Sequence, residues 1–322
     1  MKIHIGSRGS ALALAQTNKV AQALSDLGHE TELVIIQTAG DLHQDRCFAE
    51  IGPPGVFVRE IETALLEEEI DLAVHSYKDL PSQGPEGLVV AAIPERLTPE
   101  DCLIMRGDGQ PGPSPSGLEL EFDLALKNNA VVGTSSERRR ALLRSFRPDL
   151  QVVPIRGNVP TRLAKLHEGQ YDAIVLAAAG LIRLGHQQDA PALNLDSFVN
   201  LRLDPSVFVP APAQGALALQ CREGDRVIDA VFPLHDVSTS GPVRAERELL
   251  RLVDGGCNLP FGAWCHRLDG GDLELMSVLE SDGGLIRKSG RSKNPEELAS
   301  ILWGQLSHAL PETPTDDTSL EA

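Results

Sequence analysis

At 322 residues the chain is longer than one ordinary core sustains, so two or three domains are expected. Hydrophobic residues make up 42% and charged residues 23%, the balance of a globular protein. A net charge of −17 argues against nucleic acid as a partner, because phosphate binding needs clustered positive charge. The longest apolar stretches, such as residues 173–182, fall short of a membrane span. The start, Met1-Lys2-Ile3-His4-Ile5, reads as a strand and not as a secretory signal, so a cytoplasmic protein is expected. Five cysteines (Cys47, Cys102, Cys221, Cys257 and Cys265) lack paired spacing, which points to free thiols and to no metal site.

Residues 2–6 read as a strand. Ser10 is positioned to cap a helix running to Leu27, with a stripe of Ala13, Thr17, Val20, Leu24 and Leu27. Strand 31–37 follows, then a helix marked by Phe57, Ile61, Ala64 and Leu65, then strands 71–75 and 88–93. A Pro-rich break at 94–99 and a Gly/Pro/Ser segment at 107–117 interrupt the alternation. It resumes with strand 130–133, helix 135–146, strand 151–155, helix 159–168 and strand 171–176. A second Pro-rich crossing lies at 205–212, and two crossings are what a domain inserted into another needs. Alternating strands and helices predict α/β layers with largely parallel sheets. Beyond residue 238 a helix at 242–252, three strand-like runs near 262–268, 273–280 and 284–290, and a helix at 295–309 predict a small α+β domain. The division expected is 1–98 with 214–235, then 99–213, then 236–310, with a disordered acidic tail at 311–322.

Residues 134–167 hold eight Arg and Lys against Glu137 and Asp149. Such a run is either a solvated basic face or an anion site working against the field of an acidic protein. Ligands in open α/β sheets sit at strand ends, where helix N-termini point inward. Arg8 and Ser10 follow the first strand, and Lys78 and Asp79 follow the third, in His75-Ser76-Tyr77-Lys78-Asp79-Leu80-Pro81. Thr134-Ser135-Ser136-Glu137 reads as a capping box with Arg138 and Arg139 in the next turn. Cations there oppose the helix dipole, so an anion neutralising both is expected. Arg156 ends the next strand, Arg162 lies one turn into the following helix, and Arg183 lies beyond strand 171–176. Arginine grips carboxylates in two-point contacts, so the implied ligand carries several carboxylates. Asp79 among these cations favours its ionised form. Cys257, in Asp254-Gly255-Gly256-Cys257-Asn258, is either an inert thiol or a reactive one in a tight loop.

Together these segments resemble the porphobilinogen deaminase family, also called hydroxymethylbilane synthases. The matching pieces are residues 6–13, His75 to Pro81, Gly133 to Arg139, Arg156-Gly157-Asn158 and Thr161-Arg162-Leu163. Leu176 to Gly185, Gln214-Gly215-Ala216 and Gly255-Gly256-Cys257 complete the series in order. The resemblance implies a monomer of α/β class, with two periplasmic-binding-protein-like α/β domains plus a small α+β C-terminal domain. It implies a dipyrromethane cofactor joined by a thioether to Cys257 and porphobilinogen as substrate, four units of which are condensed head to tail with loss of ammonia. Asp79 would be the catalytic carboxylate. Lys78, Ser10, Thr134, Ser136, Arg138, Arg139, Arg162 and Arg183 would bind the cofactor, and Arg8, Arg156 and Arg183 the substrate. Residues 41–57 correspond to a mobile lid, with Phe57 and Arg59 at its end. The family's Gly-Gly-Lys-Gly is here Gly52-Pro53-Pro54-Gly55, Glu50 stands where lysine is frequent, and Ala213 replaces a usual glycine. A carboxylate-binding protein without catalysis is the competing class, and a catalytically silent relative the other.

Overall fold

The computed structural model describes residues 1–37, 58–107, 126–185, 195, 197–253, 259–281 and 284–310. The expected lid, with Glu50, Pro53, Pro54 and Phe57, lies outside the described residues, as do Cys257 and the tail 311–322.

The first unit begins with β1 (Lys2–Ser7), α1 (Ala11–Asp26) and β2 (Glu30–Ile35). It continues with α2 (Arg59–Leu66), β3 (Leu72–Ser76), a 3₁₀ turn at Tyr77–Asp79, and β4 (Leu88–Ala92). The second unit contains β5 (Asp101–Arg106), β6 (Val131–Gly133), α3 (Glu137–Phe146), β7 (Gln151–Val153) and α4 (Val159–His167). β8 (Ala173–Ala177), α5 (Ala178–Gly185) and β9 (Phe198–Leu203) complete it. The chain then returns through β10 (Leu217–Arg222) and α6 (Val227–Val231). The last unit is α7 (Val237–Val253), β11 (Phe261–Arg267), β12 (Leu273–Ser281), β13 (Gly284–Ser292) and α8 (Pro295–Ser307).

Two five-stranded sheets run in the orders β2-β1-β3-β10-β4 and β7-β6-β8-β5-β9, and a three-stranded meander runs β11-β12-β13. The fold class is therefore α/β with a small α+β unit, as read. The sheets are mixed where largely parallel pairing was expected. β10 is antiparallel to β3 and β4, and β5 is antiparallel to β8 and β9. These two strands are the ones that follow the Pro-rich crossings. Each enters its sheet from the other unit, so no βαβ crossover sets its direction.

Both faces of each large sheet are covered. Ile3, Ile5, Leu72, Val74 and Leu219 pack against Val20 and Leu24 of α1, while Ile61, Ala64 and Leu65 of α2 cover Ala73 on the other face. In the second sheet, Leu142 and Leu143 of α3 pack on Leu103, Val132 and Val175, and Leu163 and Leu166 of α4 pack on Cys102, Ile104 and Ile174. Helix α1 ends one residue earlier than its stripe predicts. Leu27 caps it with 46% of its surface exposed, so the buried stripe is Gln16, Thr17, Val20, Ala21 and Leu24. Helix α7 starts at Val237, ahead of the expected 242, and carries Pro242 within its first turns.

The two crossings touch. A Cβ on Gly215, at φ +88°, would lie 1.9 Å from the Thr98 carbonyl oxygen, so a side chain cannot be accommodated there. Ala213 adopts φ +61°, a left-handed conformation in which an alanine is strained. Glu246 of α7 has no exposed surface and binds both crossings. It takes a two-point ion pair from Arg96 (Nη1 to Oε1 2.7 Å, Nη2 to Oε2 3.1 Å) and accepts from the amides of Ala213 and Cys265. Glu246→Gln leaves Arg96 uncompensated at a buried junction. Its unfolding free energy in urea should fall by about 3–5 kcal/mol, against less than 1 kcal/mol for a surface pair.

Candidate active site

Where β1 ends, Ser10 opens α1 by accepting a hydrogen bond from the Ala13 amide. Where β3 ends, the 3₁₀ turn exposes Asp79. Arg8, Ser10, Gln16, His75, Ser76 and Asp79 line one cleft together with Val58 and Ile61 at the start of α2. Gln16 of α1 donates to the Ser76 hydroxyl at the end of β3 at 2.8 Å. Of the sequence-predicted residues, Arg8, Ser10 and Asp79 are thus brought together. Arg59 is exposed at the first residue of α2.

The second sheet supplies a cationic cluster. Helix α3 is capped by Ser136, which accepts from the Arg139 amide, so the helix begins two residues later than expected and Glu137 does not close a capping box with Thr134. Thr134 accepts from the Ser136 amide, and Ser135 bonds both the N–H and the C=O of Ile155. That run of hydroxyls fixes the turn between β6 and α3 and places Arg138 and Arg139 in the helix's first turn. Both are buried, at 4% and 7% exposure, which rejects a solvated basic face for them.

The anion expected for these two arginines is present within the chain. Asp101, the first residue of β5 and wholly buried, lies 2.9 Å from Arg138 Nη1 and 2.7 Å from Arg139 Nη2, and Arg139 Nε donates to it at 3.1 Å. Burial alone would raise its carboxyl, but Arg138 and then Arg139 override that and hold it well below the usual carboxylate range. Arg138 also donates to the Val209 carbonyl and Arg139 to that of Val175. Arg138 Nε remains buried without a hydrogen-bond partner.

Gln214, on the second crossing, connects this cluster to the cleft. Its amide donates to Asp101 Oδ1 at 3.0 Å and to the Pro99 carbonyl at 2.7 Å, and its Oε1 accepts from Lys78 Nζ at 3.3 Å. Desolvation pushes the Lys78 ammonium down to about 8; Asp79 pulls the other way, and Arg139 adds to the depression. Lys78 therefore sits in the fields of Asp79 and of the Asp101 cluster together. Arg162 is lowered to about 10 by burial and then by the charges of Arg139 and Arg156. It donates through Nε to the Gly157 carbonyl. Gly157, at φ +107°, turns the chain so that Asn158 caps α4 through the Thr161 amide, the structural reason for Arg-Gly-Asn at this point. Arg183, lowered to about 10 by burial, donates to the Gly215 carbonyl from within α5.

Asp101 and Gln214 were not among the residues singled out as functional. For Asp101 the signal was an acid at the head of the apolar run Cys102-Leu103-Ile104-Met105, which is how a strand buried on both faces reads. No group of three or more metal-binding side chains occurs among the described residues, and no helix among them is long and apolar enough to cross a membrane.

Asp101→Asn removes the shared counter-charge of two buried guanidinium groups and should cost about 3–5 kcal/mol at pH 7. The depressed carboxyl contributes fully above the unfolded aspartate value of about 3.9 and loses its contribution as pH falls below it. Denaturation from pH 7 to pH 2.5 should therefore show the gap between wild type and variant narrowing only below about pH 4.

The family model described as "Porphobilinogen deaminase, dipyromethane cofactor binding domain" matches residues 3–230. Proteins named porphobilinogen deaminase match along nearly the whole length. That of Syntrophobacter fumaroxidans is 42% identical over 304 residues, covering 93% of this chain and 91% of its own. That of Bacillus cereus is 41% identical over 310 residues, covering 95% and 94%, and that of Deinococcus deserti 42% over 307 residues, covering 93% and 92%. An ancestral cationic amino acid solute binding protein of known structure covers 72% of this chain and 87% of its own at 12% identity, with a TM-score of 0.41, too loose a likeness to add to what the sheets show. With a family model spanning both large sheets, and relatives above 40% identity that extend past the third, the chain belongs to the porphobilinogen deaminase family.

Proposed function

We propose that this protein is a porphobilinogen deaminase, a transferase that condenses four porphobilinogen molecules head to tail on a primer and then hydrolyses the product to hydroxymethylbilane. The supporting observation is the junction of the Asp79 cleft with the Asp101 cluster through Lys78 and Gln214. A carboxylate for the reacting nitrogen and cations for the ligand's carboxylates are thereby side by side.

Each condensation breaks the bond from porphobilinogen's aminomethyl carbon to its nitrogen, releases ammonia, joins that carbon to a free pyrrole α-carbon, and removes the proton held there. Loss of the amine leaves positive charge on the porphobilinogen pyrrole. Asp79, exposed on its turn, would accept the pyrrole N–H bonds and stabilise that charge as it forms. A carboxylate at this point also serves proton transfer to the leaving amine or from the attacked carbon. Arg8, Arg156 and Arg183 would bind acetate and propionate groups of substrate and growing chain, and the exposed Arg59 would offer a further cation.

A dipyrromethane fits the donor set. It carries several carboxylates, and Arg138 Nε is a buried donor without a partner, while Arg162 is crowded by Arg139 and Arg156 in a way that a carboxylate relieves. Lys78, Ser10, Thr134, Ser136, Arg138, Arg139, Arg162 and Arg183 would hold it, with Cys257 as the thioether anchor. When bound, the group supplies the free pyrrole α-carbon to which the first porphobilinogen is joined. We further assign three domains, 1–98 with 214–235, 99–213, and 236–310, an arrangement supported by the separation of the three sheets.

Asp79→Asn should leave the protein folded and the primer bindable while lowering the rate of porphobilinogen consumption roughly 10²–10³-fold or more. A variant retaining a third of wild-type turnover would remove Asp79 from the mechanism.

A further inference from the structure

Arg247 of α7 takes no part in the proposed chemistry, yet it grips the turn that carries Asp79. Its guanidinium donates from Nη1 to the Leu80 carbonyl at 2.9 Å and from Nη2 to the Pro81 carbonyl. Nη1 also approaches the Tyr77 carbonyl at 3.5 Å. The Arg247 Cζ lies over the Tyr77 ring, 4.9 Å from its centroid. One guanidinium thus brackets Asp79, resting on the ring before it and bonding the carbonyls after it. A planar fork with several donors is the side chain that makes such contacts at once.

The far end of the turn is where this hold acts. The turn's first residue is fixed by the chain entering β10, since the Tyr77 amide donates to the Ala216 carbonyl at 3.1 Å. Within the turn the Leu80 amide donates back to the Tyr77 carbonyl at 3.3 Å, and the Leu80 side chain is buried beside Val58 and Ala218. Beyond Leu80, strand pairing resumes only at Leu88, and Pro81 has no N–H to give to a ladder. Arg247 supplies a contact there from the last unit. Its neighbour Glu246 ties the two crossings, and successive residues of a helix point about 100° apart, so one turn of α7 engages both structures. The helix runs on to Val253, shortly ahead of Cys257 in the sequence.

We propose that Arg247 is a positioning residue for the condensation: from the last unit it holds residues 77–81 in place, and so sets where Asp79 presents its carboxylate in the cleft. The consequence for turnover rests on the proposed function; the hold on the turn does not.

Amide hydrogen exchange on the full-length protein at pH 7, read by mass spectrometry, tests the hold. Arg247→Leu should exchange faster in the peptide covering residues 77–81, while peptides from the three-stranded sheet keep their wild-type rates. Arg247→Lys, which keeps the charge but not the planar fork, should show the same change at smaller size, and serves as the test should Arg247→Leu not fold. Unchanged exchange at 77–81 in a folded variant overturns the hold, and so does an increase spread equally over the last unit's sheet. In steady-state assays with porphobilinogen, Arg247→Leu should lower kcat about tenfold with KM within about threefold of wild type, because the arginines assigned to the ligand's carboxylates are untouched. In the Asp79→Asn background the same substitution should lower kcat less than about twofold, there being no carboxylate left to position. An unchanged kcat in Arg247→Leu, a full tenfold loss in the Asp79→Asn background, or a raised KM with kcat unchanged overturns the positioning role. Asp79→Asn retaining a third of wild-type turnover would overturn the mechanism on which that role rests while leaving the exchange result standing.

Discussion

Asp101 has no exposed surface, and two buried guanidinium groups hold it ionised. Taking a carboxylate out of water is costly, and the cost is offset here only because Arg138 and Arg139 approach from one helix turn and Gln214 donates from the second crossing. None of these four side chains tolerates movement of another. The crossing at Pro99 is fixed by Gln214, Gly215 fits against Thr98 because it lacks a side chain, and Glu246 ties Arg96 and Ala213 to α7. The two connections between the large sheets consequently form one block, and Asp101 stands at its inner end.

The candidate site takes its geometry from this block. Lys78 and Asp79 are neighbours in sequence on a 3₁₀ turn, yet they serve different surroundings: Asp79 faces the cleft, while Lys78 reaches Gln214. The block thus links the carboxylate of one sheet to the arginines of the other. Pairing Arg138 and Arg139 with an internal anion also bears on how a cationic cluster persists in a chain of net charge −17. The internal carboxylate holds both guanidinium groups in fixed positions within the fold.

Much of this was legible in the residues. Ser10 announced the start of α1 by its capping chemistry, and apolar spacing marked α1 and α2. The placement of Arg8, Ser10, Lys78 and Asp79 at strand ends followed from the strands expected just before them. What remained hidden had physical reasons. β5 is buried on both faces and shows no alternation, so it was not recognised, and Asp101 with it. The reversed direction of β5 and β10 is decided by where the crossings re-enter the sheets, which no local pattern records. The start of α3 slipped because three hydroxyl residues in a row all suit a cap; the tertiary bond from Ser135 to Ile155 leaves Ser136 as the one that serves. For Arg138 and Arg139 a solvated face and an anion site both stayed open until their burial was seen. A carboxylate-binding protein without catalysis shares the two-lobed architecture, and family membership carries the enzymatic reading past it.

The account as a whole requires that the cationic cluster serve a covalently held polycarboxylate. Intact-mass measurement of the purified full-length protein, expressed with porphobilinogen available, followed by peptide mapping, addresses this directly. The account predicts an added mass of two pyrrole units confined to the peptide containing Cys257. No added mass, or a modification on Cys47 or Cys221, would contradict it.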